Sequence, residues 1–310
     1  MEISNKEAAK LLKIATLMSV SVAILIIFIK LIAWFTTDSL SLLSSLIDSM
    51  LDVVASVLTF MAVRYSLLPA DEDHRFGHGK AEDIAAFSQS VFIAGSGVFI
   101  FIEAIARFMN PQEVSNHIAG ISVMVISSLL TLMLLSYQKY VISKTNSGAI
   151  KADSLHYKTD LFVNLLVIIS FVSSMLFKLQ WIDPLLALVV AIHIFKSAFS
   201  VGKDAFDKLM DKEFSDDDRA KIIDCVMTNK DVKGVHDLRT RSSGIKPFIQ
   251  FHLELDGNIS LINAHAISDD IEMKILKFFP NAEILVHHDV EVKKDLEPLK
   301  GRVVPLKKIK

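Results

Sequence analysis

Six apolar runs, each near the ~20 residues a helix needs to cross the hydrocarbon of a bilayer, fall at about 14–35, 39–63, 84–108, 118–138, 155–177 and 181–201. A backbone in hydrocarbon must satisfy its own N–H and C=O groups, so runs of this length fold as helices and pack as a bundle. The expected fold class is therefore membrane α-helical, with six transmembrane helices. A hydrophobic share of 52%, with 20 Phe in 310 residues, supports that reading, and 22% charged residues leave room for a soluble part. A formal net charge of −2 without long blocks of like charge argues against a nucleic-acid partner.

Loop charge sets the expected orientation. The N-terminal segment, the 64–80 loop (Arg64, Arg75, Lys80) and the 139–154 loop (Lys139, Lys144, Lys151) are basic. The 36–40 turn and the 109–117 loop hold no Lys or Arg, and the 178–183 turn holds only Lys178. Both termini are thus expected in the cytoplasm.

Near residue 210 the chain changes character. Ser215 followed by Asp218 opens an amphipathic helix to about Asn229. Residues 236–241 and 248–256 read as strands, the second alternating Ile249, Phe251, Leu253 and Leu255 with Gln250, His252 and Glu254. The turn between them falls at 242–244. Ser260 caps a helix to about Phe279, stopped by Pro280 and Asn281, and 282–292 reads as a last strand. The order αββαβ predicts a small α+β domain with one antiparallel sheet. The expected boundaries are 1–210 for the transmembrane domain, 211–292 for the α+β domain and 293–310 for a disordered tail rich in Lys and Pro. A lone cysteine, Cys225, forms no intrachain disulfide and reads as a small buried hydrophobe among Ile222, Ile223 and Val226.

Two of the apolar helices carry ionisable pairs: Asp48 and Asp52 in LIDSMLD, and His156 and Asp160 in HYKTD. Spaced i, i+4, each pair shares one helix face at about 5–6 Å. Each such group at the bilayer centre costs on the order of 2.5–3.5 kcal/mol, a load not carried for packing. Three carboxylates and one imidazole suit a tetrahedral divalent ion such as Zn2+. The bland alternative is two unrelated pairs satisfied within the bundle. Ser44, Ser45 and Ser49 keep the first face small and hydrated, as an ion path needs, although small residues also serve packing. Ligands must be deprotonated to bind metal, so metal and protons compete for them, with His156 the expected proton carrier.

A second cluster, Asp71, His74 and His78, lies in the loop DEDHRFGH, with Gly77 and Gly79 easing the turn. A third comprises His236, His252, His265, His287, His288 and Asp289. Alternation puts His287 and Asp289 on one strand face and His288 on the other, and a binuclear site bridged by Asp289 is one arrangement. Lys80 and Asp211 fall at one expected depth, where they form either an ion pair locking helices to soluble domain or two solvated charges. Gly95 and Gly97 are expected to permit close helix packing.

Taken in order, LIDSMLD, PADEDHRFGHGKAE (69–82), ADSLHYKTD (152–160), VHDLRTRSSG (235–244) and IQFHLELD with the later HHD resemble the cation diffusion facilitator family, closely its bacterial ferrous-iron and zinc efflux pump subgroup. The similarity covers nearly all of 10–290. It implies a bacterial inner-membrane homodimer with six transmembrane helices and a cytoplasmic metallochaperone-like domain. It implies a transport site of Asp48, Asp52, His156 and Asp160, and a loop site of Asp71, His74 and His78. It further implies a binuclear site of His236, His252, His265, His287 and Asp289 between cytoplasmic domains, and a Lys80–Asp211 interlock near the dimer contact. Position 288, often Gln in the subgroup, is His288 here.

The functional expectation is a divalent cation/proton antiporter exporting Zn2+, with Cd2+ and Fe2+ as further substrates, by alternating access; Zn2+ also serves as a structural or regulatory ion. Imidazole favours zinc over harder ions. A membrane metalloenzyme would show an open coordination position and a nearby base, and no H-E-x-x-H motif is present. A membrane metal sensor would need an output domain, and none is recognisable.

Overall fold

The computed structural model describes residues 5–37, 40–109, 118–177 and 182–290; within the helices, side chains including those at 40–45, 47–48 and 166–177 lie outside the described set. Each apolar run corresponds to a helix that extends past it at one or both ends: α1 (Asn5–Thr37), α2 (Leu40–Ser66), α3 (Lys80–Met109), α4 (Ile118–Thr145), α5 (Gly148–Phe177) and α6 (Ile182–Leu209). Among the described residues, four stretches are long and apolar enough to cross a membrane by length and composition, namely Lys6–Thr36, Ser49–Ser66, Lys80–Ala106 and Ser122–Thr145. Large apolar side chains such as Phe28, Phe35, Phe92, Phe99, Met133 and Phe199 point outward, while Ser19, Ser56, Thr59, Ser90, Gln138 and Asp153 are buried. That inversion suits a bundle whose solvent is lipid, where helices associate through small and polar contacts.

Helix α5 packs on α3 and α4, and α2 on α3. Gly97 lets α3 approach α6, since an added Cβ would sit 3.3 Å from Ile194 Cγ2 and 3.6 Å from the Ala191 carbonyl. Gly95 differs from expectation: it lies on the exposed face with nothing within 4 Å of a Cβ. On α6 itself Gly202 fits against Ser90, whose Oγ a Cβ would meet at 2.5 Å.

The chain divides into two compact units, one spanning Glu7–Phe206 and the other running from Asp207. The second contains α7 (Asp216–Met227), β1 (Gly234–Ser243), β2 (Lys246–Leu255), α8 (Leu261–Ile275) and β3 (Glu283–Val290). Ser215 Oγ accepts from the Asp218 N–H at 3.2 Å and donates to the Asp218 carboxylate at 2.8 Å, a reciprocal cap on α7. Ser260 caps α8 by accepting from the Asn263 N–H. Helix α8 stops at Ile275 rather than Phe279, and a hydrogen-bonded turn, in which the Phe278 and Phe279 N–H groups both donate to the Ile275 carbonyl at 2.9 Å, carries the chain on to Pro280.

Strands β1 and β2 form an antiparallel hairpin turned at Gly244 (φ 58), and β3 lies parallel to β2 on its other side. The sheet is therefore mixed, not antiparallel as the sequence suggested. The α8 crossover carries the chain back to the end where β2 began, so β3 must run in the same direction. Ile249, Phe251, Leu253 and Leu255 of β2 join Ile222, Val226, Ile271 and Ile275 in one core, with Cys225 buried beside them. The opposite face of the sheet keeps the polar alternates. The expected 293–310 tail lies outside the described residues.

Candidate metal centres

In the helical unit, Asn146 takes a left-handed turn (φ 52) between α4 and α5, and Ser147 Oγ then accepts from the Ile150 N–H at 3.2 Å, setting where α5 begins. Further along α5, the Tyr157 hydroxyl donates to the Ser19 carbonyl at 3.0 Å and lies 2.8 Å from Ser56 Oγ on α2. These bonds fix the rotation of α5 so that His156 meets α2. His156 Nε2 lies 3.1 Å from Asp52 Oδ1 and 3.7 Å from Asp160 Oδ2, with all three side chains half-buried. One ligand atom from each falls within 4.8 Å of the others, which is the spacing of groups converging on one ion. Asp48 is on α2, but its side chain, like those of Ser44 and Ser45, lies outside the described residues. Ser49 is buried and accepts from Lys30 Nζ of α1 at 2.7 Å. Lys30, a lone charge within the 14–35 run, and the fully buried Asp153, one turn before His156, are polar groups outside the two i, i+4 pairs.

In the loop before α3, Asp71 folds the chain onto itself. Its Oδ1 accepts from the Asp73 and His74 N–H groups at 3.1 and 2.6 Å, and the Gly77 N–H, at a φ of 81 open to glycine, donates to the His74 carbonyl at 2.8 Å. This local turn presents His74 Nδ1 and His78 Nε2, each 3.2 Å from an Asp71 oxygen. Asp71 and His74 are exposed, whereas His78 is buried against the Tyr65 ring. The His74 backbone N–H holds the Asp71 carboxyl below the usual carboxylate range, slight burial opposing and the two imidazoles assisting.

In the α+β unit the register aligns His236 of β1, His252 of β2 and His287 of β3 across the sheet. Asp289 Oδ2 lies 2.8 Å from His252 Nδ1 and 3.2 Å from His236 Nε2, and its Oδ1 lies 3.4 Å from His287 Nε2. The carboxylate thus divides its oxygens between two sides. Burial opposes ionisation of Asp289, but the His252 hydrogen bond and the imidazoles of His252, His287 and His236 hold its pKa below the ordinary value. His288 points to the other face and pairs with Ser268 Oγ of α8 at 2.6 Å. His265 is not brought to this cluster; it is exposed on α8, 3.7 Å from Asp269, because α8 covers the apolar face of the sheet.

Two acidic neighbours join the cluster beyond those expected from sequence. Glu254 Oε1 lies 2.8 Å from His236 Nδ1, and Asp237 Oδ2 lies 3.7 Å from His252 Nε2. The polar alternation of β2 already placed Glu254 beside His252. Asp237 reaches the site through a β-bulge between His236 and Arg239, where it adopts a φ of 48, a device that re-aims a side chain. Asp211, which follows α6, pairs with Arg241 at 3.5 Å within the second unit, while Lys80 opens α3 in the first.

Residues 16–210 match the family described as the cation efflux transmembrane domain, and residues 214–291 match the cation efflux protein, cytoplasmic domain. The chain belongs to the cation efflux, or cation diffusion facilitator, family. It is a membrane transporter of metal cations and not an enzyme. Protein p34 of Rickettsia rickettsii (strain Sheila Smith) is 46% identical over 280 residues, covering 90% of this chain and 92% of that protein. The cation-efflux pump FieF of Serratia proteamaculans (strain 568) is 42% identical over 281 residues, covering 91% and 93%. A solved structure described as the metal-bound C-terminal domain of the CzcD transporter from Thermotoga maritima is 28% identical, covering 24% of this chain and 87% of its own, with a TM-score of 0.23.

Proposed function

We propose that this transporter is a divalent cation/proton antiporter that exports Zn2+, with Cd2+ and Fe2+ as further substrates, from the cytoplasm by alternating access. The observation that carries the proposal is the convergence of Asp52, His156 and Asp160 from α2 and α5. Asp48, one helical turn before Asp52, supplies the fourth ligand of a tetrahedral site. The mixed nitrogen and oxygen set favours zinc over ions that prefer oxygen alone. Protons compete for the same atoms, so binding metal expels them and releasing metal takes them up.

Alternating access runs through six membrane-spanning helices in a homodimer of the bacterial inner membrane, with both termini cytoplasmic. Asp71, His74 and His78 form a loop metal site. His236, His252, His287 and Asp289, completed by His265, form a binuclear site that senses cytoplasmic metal and steadies the dimer, and Lys80 with Asp211 acts as a charged interlock. Moving one charge through 100 mV is worth about 2.3 kcal/mol. Exchange of one divalent ion for one proton therefore works against an inside-negative potential, and either the pH gradient or a second returning proton must supply the drive.

The test is metal uptake into proteoliposomes under an imposed pH gradient, with a panel of divalent ions. Zinc-dependent proton flux is expected, and its absence for every ion would overturn the antiport reading.

A further inference from the structure

Asp153 is fully buried in the helical unit, three residues before His156 on α5. Its Oδ2 accepts from the Ser19 hydroxyl of α1 at 2.6 Å and from the Gln138 amide of α4 at 2.8 Å, and its Oδ1 lies 3.5 Å from the Gln89 amide of α3. Gln89 Oε1 in turn accepts from Thr59 of α2 at 3.3 Å. Among the described residues, α1, α3 and α4 thus place only hydroxyls and amides against this carboxyl, with the Thr59 hydroxyl of α2 behind Gln89. The titratable groups near enough to act on it, among the described residues, are His156 and Tyr157, both on its own helix. Among the described residues no Lys or Arg pairs with Asp153. An ionised carboxylate held out of water, with no countercharge among the described residues nearer than the histidine one turn along its own helix, is costly, so this position favours a group that can take up a proton.

The hydrogen-bond inventory shows how both states are accommodated. Ser19 has one hydroxyl hydrogen and two acceptors in reach, Asp153 Oδ2 and the Ala15 carbonyl at 3.1 Å. With Asp153 ionised, that hydrogen goes to the carboxylate. With a proton on Oδ2, the acid donates to Ser19 Oγ and the serine hydrogen turns to Ala15. Gln138 Nε2 continues to donate to Ser19 Oγ at 3.1 Å in either case. Only hydrogens move.

We propose that Asp153 is a second proton-carrying site of the transporter, loaded when the transport site is empty and emptied when a divalent ion binds at Asp52, His156 and Asp160. The coupling is electrostatic: a divalent ion that replaces the proton on His156 adds net positive charge one helical turn away, which disfavours a neutral acid relative to its carboxylate. On metal binding, Oδ2 releases its proton to water admitted during the access cycle. After the ion leaves, Oδ2 takes one proton back from the opposite side. A proton from Asp153 and one from His156 together balance the charge of one divalent ion and supply the second returning proton that the membrane potential calls for. The inference rests on the proton-exchange reading above.

The experiment uses the full-length protein in detergent with Zn2+ as the probe. Protons released per bound ion are measured by calorimetry in buffers of different ionisation enthalpy, and infrared difference spectra follow the protonated-carboxyl stretch. Wild type is expected to release protons and lose a carboxyl band on zinc addition. Asp153→Asn is expected to release about one proton fewer per ion bound at the transport site and to lack that band. Asp52→Ala should keep the band on zinc addition, and Ser19→Ala should shift its frequency, because the acid loses its acceptor. Equal proton release by wild type and D153N overturns the proposal. So does a wild-type spectrum in which no carboxyl band is lost, which decides the matter even if D153N fails to fold. Zinc binding to wild type without any proton release would instead sink the exchange reading on which it rests.

Discussion

His156 lies between carboxylates from two helices, and its ring is the one nitrogen donor of the proposed transport site. His156→Asp removes that donor and leaves oxygen ligands alone, which suit manganese better than zinc. The zinc-to-manganese ratio is expected to fall in paired proteoliposome uptake assays; an unchanged ratio would mean that His156 does not touch the ion. Asp52→Ala is expected to abolish transport, because no described neighbour replaces its oxygen. Deleting an ionisable group from a helix interior loses no apolar burial, so the variant should stay folded, with thermal stability equal to wild type or higher by up to about 3 kcal/mol. These residues were legible in the sequence because ionisable groups at i, i+4 inside an apolar run carry a desolvation cost that packing alone does not offset. Asp153 was not. Its partners lie 134, 64 and 15 positions away, and nothing in a helical repeat reveals which face a neighbouring helix will cover.

The apolar runs and polar alternation located every described helix and strand, since burial period and chain length constrain both. What they left open was how elements meet. Gly95 and Gly97 look alike in sequence, yet only Gly97 faces α6. Gly97→Leu is expected to destabilise the helical unit by about 1–3 kcal/mol through overpacking, while Gly95→Leu should be near neutral; thermal unfolding in detergent compares them. In the second unit, the direction of β3 depended on the crossover through α8, which strand periodicity does not report. Its Asp289 carries a pH consequence. With a folded pKa below the ordinary value of 3.8, Asp289 contributes stability that is complete above that value and is lost as pH falls through the lower folded value. Acid unfolding of the metal-free α+β unit should therefore be shallower in Asp289→Asn. Coincident pH profiles for the two proteins would remove Asp289 from that account.

At the scale of the whole molecule, the two units have separate cores. The proposed transport ligands Asp52, His156 and Asp160 precede residue 207, while Phe251, Leu253, Ile271 and Ile275 close a core that needs nothing from the helices. Deleting the chain after about 212 is expected to slow transport severalfold without abolishing it, as flux through proteoliposomes would register. The isolated 212–292 segment is expected to fold and to bind micromolar zinc. His265 makes the sharper test. It sits on the helix that covers the apolar face of the sheet, whereas His236, His252, His287 and Asp289 share the other face. One copy of the domain cannot bring His265 to Asp289 without dismantling its core, so a binuclear site that includes it requires a second copy. His265→Ala in the isolated domain should then lower the zinc bound per chain and weaken zinc-induced dimerisation, leaving the fold and the binding by His236, His252 and Asp289 intact. Calorimetry paired with analytical ultracentrifugation at several protein concentrations reads both effects. A variant that binds as much zinc and dimerises as tightly as wild type would exclude His265 from the shared site.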